Sequence, residues 1–440
     1  MQRAAIPSRV AVPGVVLLIA AGLRLWGLGA PDQPYGDEAY YVFDAAAYLG
    51  GGIVDPIGEK PPAARIADEG TWVHPPLGKW IIALLGIGPL GQRPIGWRLP
   101  SAVFGLVGVG LLYLLAIRLW RSVWWAGFAA LLLALDGLHI VQSRMAMLDI
   151  FLTTFVTAAV LFLVLDREQM GRSLSGRWLR IERLFGSPFR LWAGVFLGCA
   201  VATKWSGAFA LPFAAGLCAI WAFTRGRDDR SPIATLSTLI ACFVVVPLGT
   251  YLLSYCAFFF QHGFAVHDFL TLQSAMFRYQ QAHLAIQPEN SLPWTWPLLL
   301  HPVRYLELTR DGASSIVVAL GNPVLWWGFL LLLPLAILQV VRRPAWQDAV
   351  VFGGYAAMFL PWFAVGRTQF IWYMLPAVPF MSLVMAATFR RLPMRIGRSS
   401  AIMFAGGALL VAVLFLPVWT GRLVPAPWIR ALAWLPDWPL

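Results

Sequence analysis

Long apolar runs separated by short arginine-rich connections set the pattern of this chain. The first extends from Val10 to about Ala30, behind Arg3 and Arg9. It resembles a signal peptide, but no small-residue cleavage pattern precedes a soluble domain, so it reads as a retained first span. Arg24, near the far end, must then snorkel or find a carboxylate. Residues 77–90 are apolar but short for a crossing and read as an interfacial or re-entrant helix. Longer runs follow at 95–119, 123–141 and 149–165. The stretch 191–223 holds 33 residues with Lys204 as its only charge. A single helix of that length would measure about 50 Å, against a hydrocarbon core of about 30 Å. It therefore reads as two spans joined at Thr203-Lys204-Trp205-Ser206-Gly207. Runs at 234–256, 323–341, 348–365, 370–389 and 400–418 follow. The expectation is an all-α integral membrane protein, with about eleven spans in a single transmembrane domain over residues 1–440.

Charge supplies the orientation. Arg167, Arg172, Arg177, Arg180, Arg183 and Arg190 crowd one connection against Asp166, Glu168 and Glu182, which marks it as cytoplasmic. Residues 31–76 carry 8 of the 21 acidic residues and fit the outer side. The N-terminus is then cytoplasmic and the C-terminus outside. Segment 31–95 is an external loop with an interfacial helix, 257–320 a second external segment, and Gln142–Asp149 a short external connection.

Composition narrows the function. The chain is 59% hydrophobic and 12% charged, with mean hydropathy +0.70. These values exclude a soluble enzyme and a disordered chain. The net charge of +12 comes from 30 Arg and three Lys, mostly grouped between apolar runs. That distribution marks membrane flanks, and no nucleic-acid partner is expected. Cys199, Cys218, Cys242 and Cys256 lie in apolar runs, and His74, His139, His262, His267, His283 and His301 are scattered. Neither set shows ligand spacing, so no metal is expected. No phosphate-cradling loop or dinucleotide fingerprint stands out, so no cofactor is expected either.

Four charged clusters fall near membrane depth, where ionisable groups are costly and are functional candidates by default. Asp37 and Glu38 are adjacent acids opening a short helix; they are either site carboxylates or simple partners of the helix dipole. His74-Pro75-Pro76-Leu77-Gly78-Lys79 is a rigid entry beside the acidic loop, or a turn with a snorkelling lysine. Asp136, Arg144 and Asp149 meet between two spans, with Arg144 able to grip a phosphate or to pair with a helix carboxylate. Lys204 calls for an anion, either a lipid phosphate or a carboxylate from another helix. Together they suit an enzyme that uses a lipid-phosphate donor and a carboxylate that activates an acceptor hydroxyl.

In this order the clusters resemble the protein O-mannosyltransferases that use polyprenyl- or dolichyl-phosphate mannose, members of the GT-C superfamily. The likeness extends through Pro293-Trp294-Thr295-Trp296-Pro297, Gly321-Asn322-Pro323 with Trp326, and Arg367 followed by Tyr373-Met374-Leu375-Pro376. It implies a GT-C bundle of eleven spans and inverting transfer of mannose to Ser or Thr of exported proteins. By this likeness Asp37 is the general base, and Glu38 shapes the loop or the acceptor site. Arg144 and Lys204 bind the donor phosphate, Arg367 supports them, and His74, Lys79, Asp136 and Asp149 line the site. The implied partners are a polyprenyl-phosphate mannose lipid, exported proteins and membrane lipids. The chain departs from the eukaryotic pattern in lacking a β-trefoil domain. With its Arg-rich composition, that fits a compact member of a bacterial plasma membrane. A related GT-C enzyme moving another lipid-linked sugar to a lipid or cell-wall glycan stays open as the alternative.

Overall fold

The computed structural model describes residues 8–50, 73–169, 184–225, 232–261, 264–282, 290–310 and 312–440. It is a helical bundle with one small sheet. Helix α1 (Ser8–Leu25) leads to a short α2 (Glu38–Tyr48). A helical segment from α3 (Leu77–Ile82) to Leu90 precedes α4 (Pro94–Trp120), whose start is fixed by Pro94 at the first helical position. Among the described residues seven helices are long and apolar enough to cross a membrane, or eight if one bent pair counts as a span. Three shorter apolar helices, Val10–Leu25, Leu77–Leu90 and Pro188–Thr203, accompany them.

The bent pair corrects the expected continuous span at 123–141. Helix α5 (Val123–Ala134) ends at Leu135, and α6 (Gly137–Arg144) leaves it at 62°. Asp136 causes the break by capping α6: its Oδ1 accepts from the backbone N–H of His139 at 2.9 Å. The orphan carbonyls ending α5 find donors from elsewhere. Arg24 donates to Leu133 and Ala134 at 3.5 and 3.1 Å, and the Asn322 amide donates to Leu135 at 3.1 Å. Arg24 therefore neither snorkels nor pairs with a carboxylate. It is fully buried, with His139 Nδ1 2.8 Å away as a further partner.

Helix α7 (Leu148–Gln169) runs buried between α4 and α8 (Pro188–Thr203). Its ends carry two ion pairs, Asp149 to Lys204 at 2.9 Å and Asp166 to Arg190 at 3.0 Å. Much of the expected cytoplasmic loop, 170–183, lies outside the described residues, as does 51–72 of the first expected loop. Lys204 adopts an extended backbone (φ −155°, ψ 136°) between α8 and a 3₁₀ turn, Trp205–Phe209, that enters α9 (Ala210–Arg225). The 33-residue run is thus broken at the lysine.

Helix α10 (Pro232–Ser254) and the short α11 (Cys256–Gln261) lead to α12 (Val266–Ala282). Next come strands β1 (Val303–Arg310) and β2 (Ala313–Ala319), an antiparallel hairpin joined by β3 (Val424–Pro425). This sheet adds strands to a fold expected to be all helical. Its register slips between Arg304 and Leu306, leaving Tyr305 as the extra residue of a β-bulge. Helices α13 (Pro323–Arg342), α14 (Trp346–Phe359), α15 (Val378–Arg390, entered through a 3₁₀ segment from Ile371) and α16 (Met394–Thr420) complete the bundle.

Candidate functional site

The two adjacent acids take opposite roles. Glu38 is fully buried and accepts from Arg98 Nη2 at 2.8 Å, from Arg98 Nε at 3.1 Å and from the Ala146 backbone N–H at 2.8 Å. Arg98 also donates to the carbonyls of Leu28, Pro31 and Gln33, so one guanidinium ties the approach to α2 onto α4. Asp37 stands at the N-cap of α2, half-buried, and makes no side-chain capping hydrogen bond. Burial raises its pKa above the ordinary carboxylate value; the Lys204 charge lowers it in part, and Asp149 pushes it up.

Lys204, at the break between α8 and α9, lies within electrostatic reach of this carboxylate. Its ammonium donates to both Asp149 oxygens at 2.9 Å and lies 4.6 Å from the centre of the Tyr373 ring. Arg367 reaches the same tyrosine, donating to its hydroxyl, and also donates to the Thr368 carbonyl at 3.3 Å. No carboxylate partner for Arg367 is present among the described residues. His74 belongs to the neighbourhood too. Burial, then the charges of Lys204, Lys79 and Arg367, holds its imidazole neutral, well below the usual histidine range. Lys79 pairs with Asp44 at 2.9 Å and donates to the His74 carbonyl at 3.2 Å, fixing the entry to α3.

Two expected site residues are committed elsewhere. Arg144 is buried, and its guanidinium donates to the carbonyls of Leu23, Arg24, Trp26 and Gly27 at 2.9–3.3 Å. That is the C-terminal end of α1, where unsatisfied carbonyls call for a cation. Asp136 is fully buried in the α5–α6 break. Besides its cap, its Oδ2 accepts from Trp326 Nε1 at 2.6 Å and from the Asn322 N–H at 3.3 Å. Asp37, Asp149, Lys204, Arg367 and His74 gather; Arg144, Asp136 and the Glu38 carboxylate serve the frame.

The structure also adds residues. Arg98 was visible as a charge four residues inside an apolar run, the kind of position that calls for a partner. Tyr305 arrives from the hairpin, where Gln142 Nε2 donates to its hydroxyl at 2.9 Å. Among the described residues no three His, Cys, Asp or Glu side chains come together as a metal site.

Beside Lys204 an apolar groove of about 750 Å³ lies between α8, α9 and α10, lined by Val201, Trp205, Leu211, Leu239, Phe243 and Pro247 among others. At its rim Trp205 Nε1 donates to the Tyr251 hydroxyl at 3.0 Å, and Tyr251 donates to Gln273 of α12 at 2.6 Å.

Apolar crossing helices around a cluster of paired cations and one open carboxylate define a multi-pass membrane protein of GT-C architecture. Over the whole chain it superposes with a TM-score of 0.81 on a Saccharomyces cerevisiae protein O-mannosyltransferase from the Pmt1-Pmt2 complex bound to the sugar donor; the match covers 93% of that chain at 15% identity. Residues 14–262 match the family model for dolichyl-phosphate-mannose-protein mannosyltransferase, and 265–438 match the C-terminal four TMM region of protein-O-mannosyltransferase. The chain is 32% identical over 435 residues to the polyprenol-phosphate-mannose–protein mannosyltransferase of Mycolicibacterium smegmatis, covering 86% of this chain and 81% of the relative. Its identity to the Mycobacterium tuberculosis enzyme of the same name is 30% over 489 residues, covering 97% and 91%. The chain belongs to the dolichyl-phosphate-mannose-protein mannosyltransferase family.

Proposed function

We propose that this protein transfers mannose, with inversion, from polyprenyl-phosphate mannose to Ser or Thr hydroxyls of exported proteins. The reaction takes place at the outer face of a bacterial plasma membrane, with the N-terminus cytoplasmic. The single domain spans 1–440, with 31–95 as the catalytic outer loop and 257–320 as a second outer segment. The observation that carries this reading is the half-buried Asp37 carboxylate, which makes no capping hydrogen bond and lies within electrostatic reach of the Lys204–Asp149 pair.

Asp37 takes the acceptor hydroxyl proton as the acceptor oxygen forms its bond to the sugar anomeric carbon. The bond from that carbon to the phosphate oxygen breaks, and polyprenyl phosphate leaves with the electron pair. Arg367, without a carboxylate partner among the described residues, is the principal phosphate contact. Lys204 assists: an ammonium has three N–H donors and Asp149 takes two, leaving one for the phosphate. Neutral His74 stands near the same charges and adds none of its own. The groove beside Trp205 suits an isoprenoid chain, since its walls are almost wholly apolar.

Purified protein is offered labelled polyprenyl-phosphate mannose with Ser/Thr peptides in one arm and glycolipid acceptors in another. Mannose on the peptide, with the anomeric configuration opposite to the donor's, is the expected product. Transfer to glycolipid alone would replace the protein acceptor with the alternative one.

A further inference from the structure

Tyr305 occupies a position that the reaction as written does not use. It is the bulged residue of β1, and a bulge re-aims the side chain it carries. The ring is aimed at the turn that delivers Asp37. Gly36, immediately before the base, has φ +56°, and a Cβ there would lie 2.9 Å from Tyr305 Cδ1 and 3.4 Å from Met145 Cε. The ring therefore rests against Gly36, the residue immediately before the base. Three further contacts fix it. Gln142 holds the hydroxyl at 2.9 Å from the buried α6, the Trp372 ring lies at a centroid distance of 5.4 Å, and the two strands anchor the bulge through their ladder. Burial and the nearby carboxylates of Asp37 and Asp149 keep the phenol protonated, so the contact adds no charge.

We infer that Tyr305 is a positioning residue for Asp37: the hairpin 303–319 presses its ring against Gly36 and sets where the carboxylate stands over the phosphate site. This rests on the proposed role of Asp37 as base. The Gly36 position accepts only a residue without a Cβ because the ring leaves no room, and the left-handed backbone there turns the chain into α2.

The test uses the full-length protein in detergent or nanodiscs, with Tyr305→Ala, Tyr305→Phe, Gly36→Ala and the Gly36→Ala/Tyr305→Ala double variant. Displacing a reacting group by about 1 Å can cost about 10²-fold in rate. Tyr305→Ala is expected to lower turnover by about 10- to 100-fold while donor lipid binds with unchanged Kd. Tyr305→Phe keeps the ring and should recover most of that loss. The double variant should lose no more turnover than the worse single one, because the ring that the added methyl group would strike is gone. Backbone hydrogen exchange over residues 31–40 should rise in Tyr305→Ala and stay at the wild-type level in Tyr305→Phe. Normal turnover in Tyr305→Ala, multiplying losses in the double variant, or unchanged exchange at 31–40 would each overturn the inference. Exchange needs no substrate, so if the wild-type protein transferred no mannose, the function would fall while exchange alone decided the positioning.

Discussion

Replacing Lys204 separates its observed role, partner of Asp149, from its proposed one, contact for phosphate. Both ammonium–carboxylate distances are 2.9 Å, and the two side chains are almost completely buried. At an effective dielectric of about 20 the pair attracts by about 6 kcal/mol, much of it offset by desolvation. Removing one partner strands the other, which typically costs about 3–5 kcal/mol. Lys204→Met and Asp149→Asn should therefore each lower the unfolding temperature, and the double variant should regain most of that loss. Donor affinity follows a different pattern. Without Lys204 one charge-assisted contact is gone, worth about 1.5–3 kcal/mol, or about 10- to 100-fold in Kd. That loss should persist in the double variant. The pH profile gives an independent sign. As the proposed base Asp37 would act only when ionised, and its pKa is already raised by burial, with Lys204 lowering it and Asp149 raising it. Activity should therefore fall on the acid side at a higher pH than an ordinary aspartate would give. Lys204→Met should move that limb to still higher pH, and Asp149→Asn to lower pH. The measurements are thermal unfolding, equilibrium binding of polyprenyl-phosphate mannose, and turnover against pH. Recovery of donor affinity in the double variant would make Lys204 purely structural. Limbs moving in the opposite directions would remove Asp37 from the electrostatic reach of the pair.

Three further substitutions test the same assignment from other sides. Asp37→Asn preserves shape and removes basicity; turnover should drop by about 10²–10⁴ while donor lipid still binds, and near-normal turnover would refute Asp37 as base. Arg367→Ala should weaken donor binding about 10- to 100-fold with little change in unfolding temperature. Arg144→Ala should do the reverse. It leaves the carbonyls of Leu23, Arg24, Trp26 and Gly27 without their buried donor, costing stability of about 1–3 kcal/mol while the folded protein binds donor normally. A weakened Kd for Arg144→Ala at full stability would return it to the phosphate site.

Much of the frame was legible because the bilayer limits lengths. The break at Lys204 followed from arithmetic: 33 residues do not fit one crossing, and the single charge marked the join. The break at Asp136 was only partly legible. Asp136-Gly137 inside the run is a local capping cue, but the partners that complete the Asp136 carboxylate, Asn322 and Trp326, lie 186 and 190 residues away. The hairpin left a signal that went unused, since Asp311-Gly312 between Val303-Arg304-Tyr305-Leu306 and Ser315-Ile316-Val317 is a strong turn cue. Tyr305 was not legible even so, because only the bulge shows which way it faces. Arg144 and Arg367 look alike in sequence as charges beside apolar runs. Their fates diverge because α1 ends where Arg144 can reach four carbonyls, whereas Arg367 finds a tyrosine hydroxyl and one carbonyl.

That divergence carries a broader argument about which charge does chemistry. A charge taken out of water is tolerated when its hydrogen-bonding capacity is filled. Arg98 and Glu38 fill one another, Arg144 ends α1, Arg24 helps to end α5, and Asp136 begins α6. Each costs desolvation and offsets it with contacts that define the fold. Asp37 breaks the pattern: it is half-buried, its pKa is raised by that burial, and its carboxylate caps nothing although it occupies an N-cap position. Ordinary folding would pair such a group or move it into solvent. What keeps it is the rigidity of its surroundings, with Glu38 clamped one residue later and Gly36 held under Tyr305 one residue earlier. A carboxylate left open by neighbours so fully committed fits the proposed role of a base that takes its proton from an arriving acceptor hydroxyl.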